Sequence, residues 1–206
     1  MNREELINKL NPHLLKLIDI VNSVGVPMEG SLFFDDQVRD INIDQIDVYK
    51  YEKALTLYRF SQNKSNILEI GFNSGFSALV FLLSNDTVKV TSVDVCSYPY
   101  IPPCYEYLRS IFGDRIKLLP GSSVDVLPDL FKEQTFDSYF IDGGHSDEIT
   151  GADFNNIIDS ATDKSEILVD DYNFPLIERI VLRHVLNDQI AILTENKENI
   201  TVRVKK

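Results

Sequence analysis

Cysteine is scarce in this chain. Only Cys96 and Cys104 occur, separated by a Pro- and Tyr-containing loop. That spacing makes neither a zinc site nor a disulfide framework, so free thiols in a reducing compartment are expected. Long apolar runs are missing too, and none approaches the ~20 residues needed to span a bilayer. Positive charge is in short supply: 20 Lys and Arg face 32 Asp and Glu, a formal net charge of −12. This argues against a nucleic-acid partner, whose phosphates need clustered cations. The basic trio Arg203, Lys205 and Lys206 reads as solvation. There is no internal repeat, no low-complexity tract and no Gly/Ser linker. The opening residues MNREELINKL place acids where a signal peptide needs a basic and then an apolar stretch, so a cytoplasmic location is expected. The remaining composition, 44% hydrophobic and 25% charged over 206 residues, suits one globular domain with a real core.

The chain changes character near residue 65. Before it, Leu6, Leu10, Leu14, Leu17, Ile18 and Val21 recur at helical spacing, and Tyr51, Ala54, Leu55 and Tyr58 suggest a second helix. Residues 29–44 between them read as irregular. From Ile67 onward, short apolar runs alternate with helical segments. The runs are 67–71, 88–94, 115–119, 136–142 and 166–170. Phe76, Leu79, Val80 and Leu83 line one face of a helix, as do Phe154, Ile157, Ile158 and Ala161 after Ser146. Pro175 stands where a helix accepts it at its first position. Alternation of this kind predicts a parallel sheet with helices on both faces and right-handed crossovers. The last two runs, 190–194 and 199–204, are joined by a connection of hairpin length. An antiparallel hairpin is therefore expected to close an otherwise parallel, Rossmann-like α/β sheet of seven strands.

Residues 68–77, LEIGFNSGFS, form a strand, a glycine turn and a helix start. Gly71 can take positive φ and admit a close approach, and the helix N-terminus offers N–H groups to an anion. The spacing is G-x-x-x-G rather than the dinucleotide G-x-G-x-x-G, so a pyrophosphate is the poorer guest. A tight turn without a ligand would explain the loop equally well. Asp94 shifts that balance, because an acid ending the next strand can hold the hydroxyls of a ribose.

Asp142, Asp170 and Asp171 end the fourth and fifth runs. On parallel neighbours those ends lie ~5 Å apart. Three such carboxylates repel one another unless a hard cation such as Mg²⁺ or Ca²⁺ sits between them. The competing reading has Asp171 or Asn173 merely capping the helix at Pro175. His145, in Asp-Gly-Gly-His, is the candidate general base beside Asp142. His13 and His184 lie on helical faces and read as structural.

In order, the segments EIGFNSGFS (69–77), VTSVD (90–94), GSSVDVLP (121–128), FIDGGHS (140–146) and LVDDY (168–172) resemble the class I S-adenosylmethionine methyltransferases. More narrowly, they are similar to the metal-dependent O-methyltransferases of the catechol and sugar-hydroxyl types. The resemblance covers about two-thirds of the chain, from Ile67 on. It implies that Glu69, Gly71 and Ser77 hold the methionine part of the cofactor, Asp94 its ribose, and Ser123 its adenine; Asn73 is counted among the cofactor-binding residues. It further implies that Asp142, Asp170 and Asp171 bind a divalent metal such as Mg²⁺; on the reading of the residues themselves, His145 or else Asp142 is the expected catalytic base. Two departures stand out: His145 replaces the Lys of the catechol type, and Asp170-Asp171 replaces Asp-Asn. The expected organisation is a helical cap or lid at 1–64 and a cofactor-binding methyltransferase domain at 65–206. The expected partner is a small-molecule or sugar hydroxyl, with no nucleic acid and no membrane; self-association into a homo-oligomer is left open. The alternatives are a NAD-dependent reductase and a non-catalytic methyltransferase-like binding domain.

Overall fold

The computed structural model describes residues 1–206. In chain order the elements are α1 (Arg3–Val24), α2 (Val48–Ser61), β1 (Asn66–Ile70), α3 (Phe76–Ser84), β2 (Lys89–Asp94), α4 (Ile101–Phe112) and β3 (Ile116–Pro120). Then follow α5 (Ser123–Glu133), β4 (Ser138–Ile141), α6 (Asp147–Ser160), β5 (Glu166–Val169), α7 (Pro175–Leu186), β6 (Ile190–Glu195) and β7 (Ile200–Val204). All seven strands join one sheet in the order β3-β2-β1-β4-β5-β7-β6. The expected α/β class with a C-terminal antiparallel hairpin is what the chain forms. No helix is long and apolar enough to cross a membrane.

Pairing is parallel between β1 and β4 and between β4 and β5. The final hairpin does more than append an edge. β7 inserts between β5 and β6 and runs antiparallel to both. That order buries Ile200, Val202 and Val204 in the core and leaves β6 outermost, its residues after Ile190 mostly exposed. The alternation of β7 is what one covered face demands, whereas β4 is buried at every position because both of its faces are covered.

The chain gathers into two compact units: 1–63, 72–90 and 96–118 form the first, and 64–71, 91–95 and 119–206 the second. Residues 1–63 thus share a unit with α3 and α4. In that unit α1 starts at a capping box, the Asn2 side chain accepting from Glu5 N–H while Glu5 accepts from Asn2 N–H, and ends at Gly25 in the left-handed region. The six apolar residues read as one helical stripe are all buried. The irregular stretch carries an isolated antiparallel bridge, Met28 to Val38, and a short 3-10 turn at Ile43–Gln45. The helix α4 was not expected from its Pro- and Tyr-rich sequence. Pro102 and Pro103 fall in its first turn, where a missing N–H costs nothing. Cys104 lies buried within it, and burial pushes the thiol up to about 12, so it is unreactive.

In the second unit, Leu68, Ile70, Tyr139, Ile141 and Ile167 pack with Leu127, Leu130, Phe154, Ile157, Ile177 and Ile180 from α5, α6 and α7. His184 belongs to this packing, its ring stacked on Phe154 at 5.3 Å. One carboxyl sits among these residues. Asp153 on α6 is 1% exposed, and neither of its oxygens has a hydrogen bond of good geometry. Burial pushes it up from 3.8 to about 6, with the Ser123 side chain pulling the other way.

That raised value has a consequence for stability. The folded state favours the protonated acid, so the penalty is absent below the unfolded value of 3.8 and grows until pH passes about 6. Above that pH the ionised group costs about 3 kcal/mol, at 1.36 kcal/mol per pH unit. Asp153→Asn is expected to stabilise the protein by about 1–3 kcal/mol at pH 7.5 and to lose that advantage below pH 4. Urea unfolding at the two pH values checks this, and an equal effect at both would contradict it.

Candidate active site

Three backbone hydrogen bonds assemble the carboxyl-terminal edge of the sheet. Gly71 N–H donates to Val93 C=O at 2.9 Å, Gly121 N–H to Asp94 C=O at 2.8 Å, and Asp142 N–H to Ile70 C=O at 3.0 Å. Asp170 N–H continues the row to Ile141 C=O at 3.0 Å. The residues following β1, β2, β3, β4 and β5 therefore lie side by side, where open α/β sheets bind ligands.

Gly71 has φ +94°, and a Cβ built there would meet the Asp142 carbonyl oxygen at 2.1 Å. The close approach that requires this glycine is made by the protein's own backbone. Gly75, at φ +78°, caps α3 without any side-chain hydrogen bond, so the first-turn N–H groups of that helix have no side-chain cap. Between the two glycines, Asn73 takes φ 50° and its Nδ2 donates to Gly30 C=O at 2.8 Å. Ser77, in the first turn of α3, is buried.

Glu69 is fully buried on β1, and its Oε2 accepts the Ser92 hydroxyl at 2.5 Å. Sequence reading assigned Glu69 but missed Ser92, the neighbour on β2 that makes a buried carboxylate tolerable. Asp94 is partly exposed at the end of β2. Ser123 opens α5 two residues after Gly121 and is nearly buried.

The carboxylates divide into two kinds. Register pairs Ile141 with Val169, so Asp142 and Asp170 follow on neighbouring strand ends. Asp170 is buried, with Asn199 Nδ2 near its Oδ1 at 3.4 Å. Asp171 turns elsewhere: at φ 54°, its Oδ2 meets His145 Nε2 at 2.9 Å. The His145 ring also stacks on Phe174, with centroids 5.2 Å apart. The turn carrying it is fixed from α6, where Ser146 Oγ accepts from Ile149 N–H and Thr150 Oγ1 donates to Gly144 C=O at 2.7 Å. Thr150 and Phe174 had no motif to reveal them. Asp171 was visible but assigned to a metal.

No group of three or more His, Cys, Asp or Glu side chains gathers where it could hold a metal ion. Of the three carboxylates expected at a metal, Asp171 has its Oδ2 on His145 Nε2. As they stand, the donors do not fit a resident divalent ion.

A family model described as a methyltransferase domain matches residues 68–172, from the glycine strand through Tyr172. The chain belongs to that family. Its fold is shared by solved structures of low identity. An O-methyltransferase from Bacillus cereus in complex with SAH is 17% identical, with a TM-score of 0.68 over 94% of this chain and 91% of that one. TomG from Streptomyces achromogenes, an O-methyltransferase involved in tomaymycin synthesis and solved with SAM, is 15% identical, with a TM-score of 0.62 over 76% and 81%. CalS11, a TDP-rhamnose 3'-O-methyltransferase of calicheamicin biosynthesis, is 14% identical, with a TM-score of 0.63 over 77% and 81%. No curated protein sequence matches the chain.

The side-chain arrangement makes a prediction about metal. Mg²⁺ and Mn²⁺ bind weakly to one or two carboxylates unless a substrate completes the shell. Titration with Mn²⁺, followed by electron paramagnetic resonance, is expected to show no saturable micromolar site in the acceptor-free protein. Stoichiometric micromolar binding that Asp142→Asn abolishes would show that the three aspartates assemble after all.

Proposed function

We propose that this protein is an S-adenosylmethionine-dependent O-methyltransferase acting on a hydroxyl of a small molecule or sugar. The observation that carries the reading is the single edge on which Gly71, Asp94, Ser123, Asp142 and the His145–Asp171 pair follow successive strands. Family membership supports methyl transfer. The SAH and SAM bound by structural neighbours, and the TDP-rhamnose methylated by another, support the cofactor and the acceptor class.

The residues present fit the cofactor. The α3 N-terminus behind Gly75 suits a carboxylate, and Asn73 and Ser77 lie on that same loop and first turn. Asp94 suits the two ribose hydroxyls, and Ser123 the adenine. Glu69 is already held by Ser92.

When bound, S-adenosylmethionine supplies an electrophilic methyl group on a sulfonium; the acceptor oxygen forms the new C–O bond as the S–C bond breaks. The chain's task is to hold that oxygen in line and remove its proton. Asp171 fixes the imidazole by accepting from Nε2–H, which leaves Nδ1 as the basic nitrogen. The proton moves from the hydroxyl to Nδ1, and Asp171 stabilises the resulting imidazolium. Phe174 restricts ring rotation by stacking. No step is routed through the divalent metal expected at Asp142, Asp170 and Asp171, since no group of three or more such side chains gathers to hold one.

Transfer of labelled methyl from S-adenosylmethionine to a panel of sugar and phenolic hydroxyls tests the activity. Asp94→Ala is expected to weaken cofactor binding by more than about tenfold, or ~1.4 kcal/mol. His145→Ala should lower kcat by about a hundredfold or more while leaving cofactor affinity unchanged. Calorimetry and kinetics on the folded variants separate the two roles. A His145 variant with wild-type kcat would remove the imidazole from the reaction.

A further inference from the structure

The outer face of α7 is more apolar than a solvated helix face needs to be. Its inner face packs into the core through Ile177, Ile180, Val181 and His184. On the outside, Pro175, Leu182 and Leu186 fall two turns and then one turn apart. Leu182 is 40% exposed and Leu186 84%, the most exposed large apolar side chain in the protein. Single exposed leucines are ordinary, but a stripe at helical spacing has the character of a contact surface. The strand packed beside α7 is β6, outermost in the sheet, where Ile192 and Leu193 are exposed as well.

The charges flanking the stripe fit one kind of partner. Arg179 and Arg183 both approach a single carboxylate, Asp147, at 3.4 and 3.6 Å. One negative charge therefore serves two positive ones. Glu178 has no ion-pair partner within the chain. By helical geometry Glu178 lies on one flank of the stripe and Arg179 on the other, at nearly the same height. The cation that Glu178 lacks and the anion that the arginines lack are thus on one surface, facing apart. A second copy of the same surface brings them together.

We propose that α7 packs against α7 of a second copy of this chain, the two related by a two-fold axis running along the helices. The helices are then parallel, and opposite flanks meet. Glu178 of each copy faces Arg179 of the other, while Leu182 and Leu186 meet their counterparts across the axis, out of water. The leucines supply the affinity, and the exposed ion pairs fix the pairing more than they strengthen it. One helix from each copy makes a small interface, so a dimer that dissociates in the micromolar range is expected.

Sedimentation velocity from low micromolar to near millimolar protein tests this at physiological ionic strength, where the net charge of −12 on each copy is screened. Leu186→Glu and Leu182→Glu are expected to weaken the dimer by about tenfold or more each, with the monomer fold retained by circular dichroism. Glu178→Arg and Arg179→Glu should each weaken it by about threefold or more, and combining the two should restore it. Protein that stays monomeric over the whole range overturns the inference. So does a dimer that both leucine substitutions leave intact, since its interface lies elsewhere. A double charge variant as weak as the single ones overturns the two-fold pairing.

Discussion

The backbone of the loop after β1 passes so close to the backbone of the loop after β4 that no side chain fits between them. At Gly71 a Cβ would stand 2.1 Å from the Asp142 carbonyl oxygen, well inside any tolerable contact. The φ of +94° at the same residue adds a conformational reason for glycine. Asp142 N–H is meanwhile bonded to Ile70 C=O, and Gly71 N–H to Val93 C=O. The ends of β1, β2 and β4 are consequently locked at backbone level, before any side chain acts. The candidate ribose-binding carboxylate and the turn carrying the candidate base both inherit their positions from this junction.

A second consequence concerns the histidine. The 142–146 turn could present an imidazole in many directions, since Gly143 and Gly144 allow wide backbone freedom. Three contacts narrow the choice: Thr150 on Gly144, Phe174 on the ring, and Asp171 on Nε2. Thr150 comes from α6 and the other two from the loop after β5. Together they orient a half-exposed imidazole, the candidate base, with a carboxylate on its Nε2. Asp171, one of the three carboxylates counted at this edge, has its Oδ2 on that ring.

Much of this was legible in the sequence, and the part that was not has identifiable causes. The buried strands announced themselves as short apolar runs, and α6 through its Ser146 cap, because those signals are local. The position of β7 between β5 and β6 was not local, since a hairpin reads the same whichever strand joins the sheet. Helix α4 was hidden by Pro102 and Pro103, which punctuate loops as often as they open helices. At the candidate site, the strand-end positions of Gly71, Asp94 and Asp142 were readable. Ser92, Thr150 and Phe174 were not, since partners across strands and helices leave no spacing to read. Asp171 was read from the number of neighbouring acids, and its contact with the His145 ring left no spacing to read. Asp153 looked like an ordinary polar position on a helix until its burial was known.

The account rests on one claim above the others: that the edge following β1, β2 and β3 binds S-adenosylmethionine rather than a dinucleotide. Both ligands carry an adenosine whose ribose Asp94 could hold, but only one needs a pyrophosphate cradle, and the G-x-x-x-G spacing of Gly71 and Gly75 does not supply it. The direct measurement is calorimetric titration of the purified protein with S-adenosylhomocysteine and, separately, with NADH. Saturable one-to-one binding of the first with no heat from the second is the predicted result. Binding of NADH in preference to S-adenosylhomocysteine would contradict it.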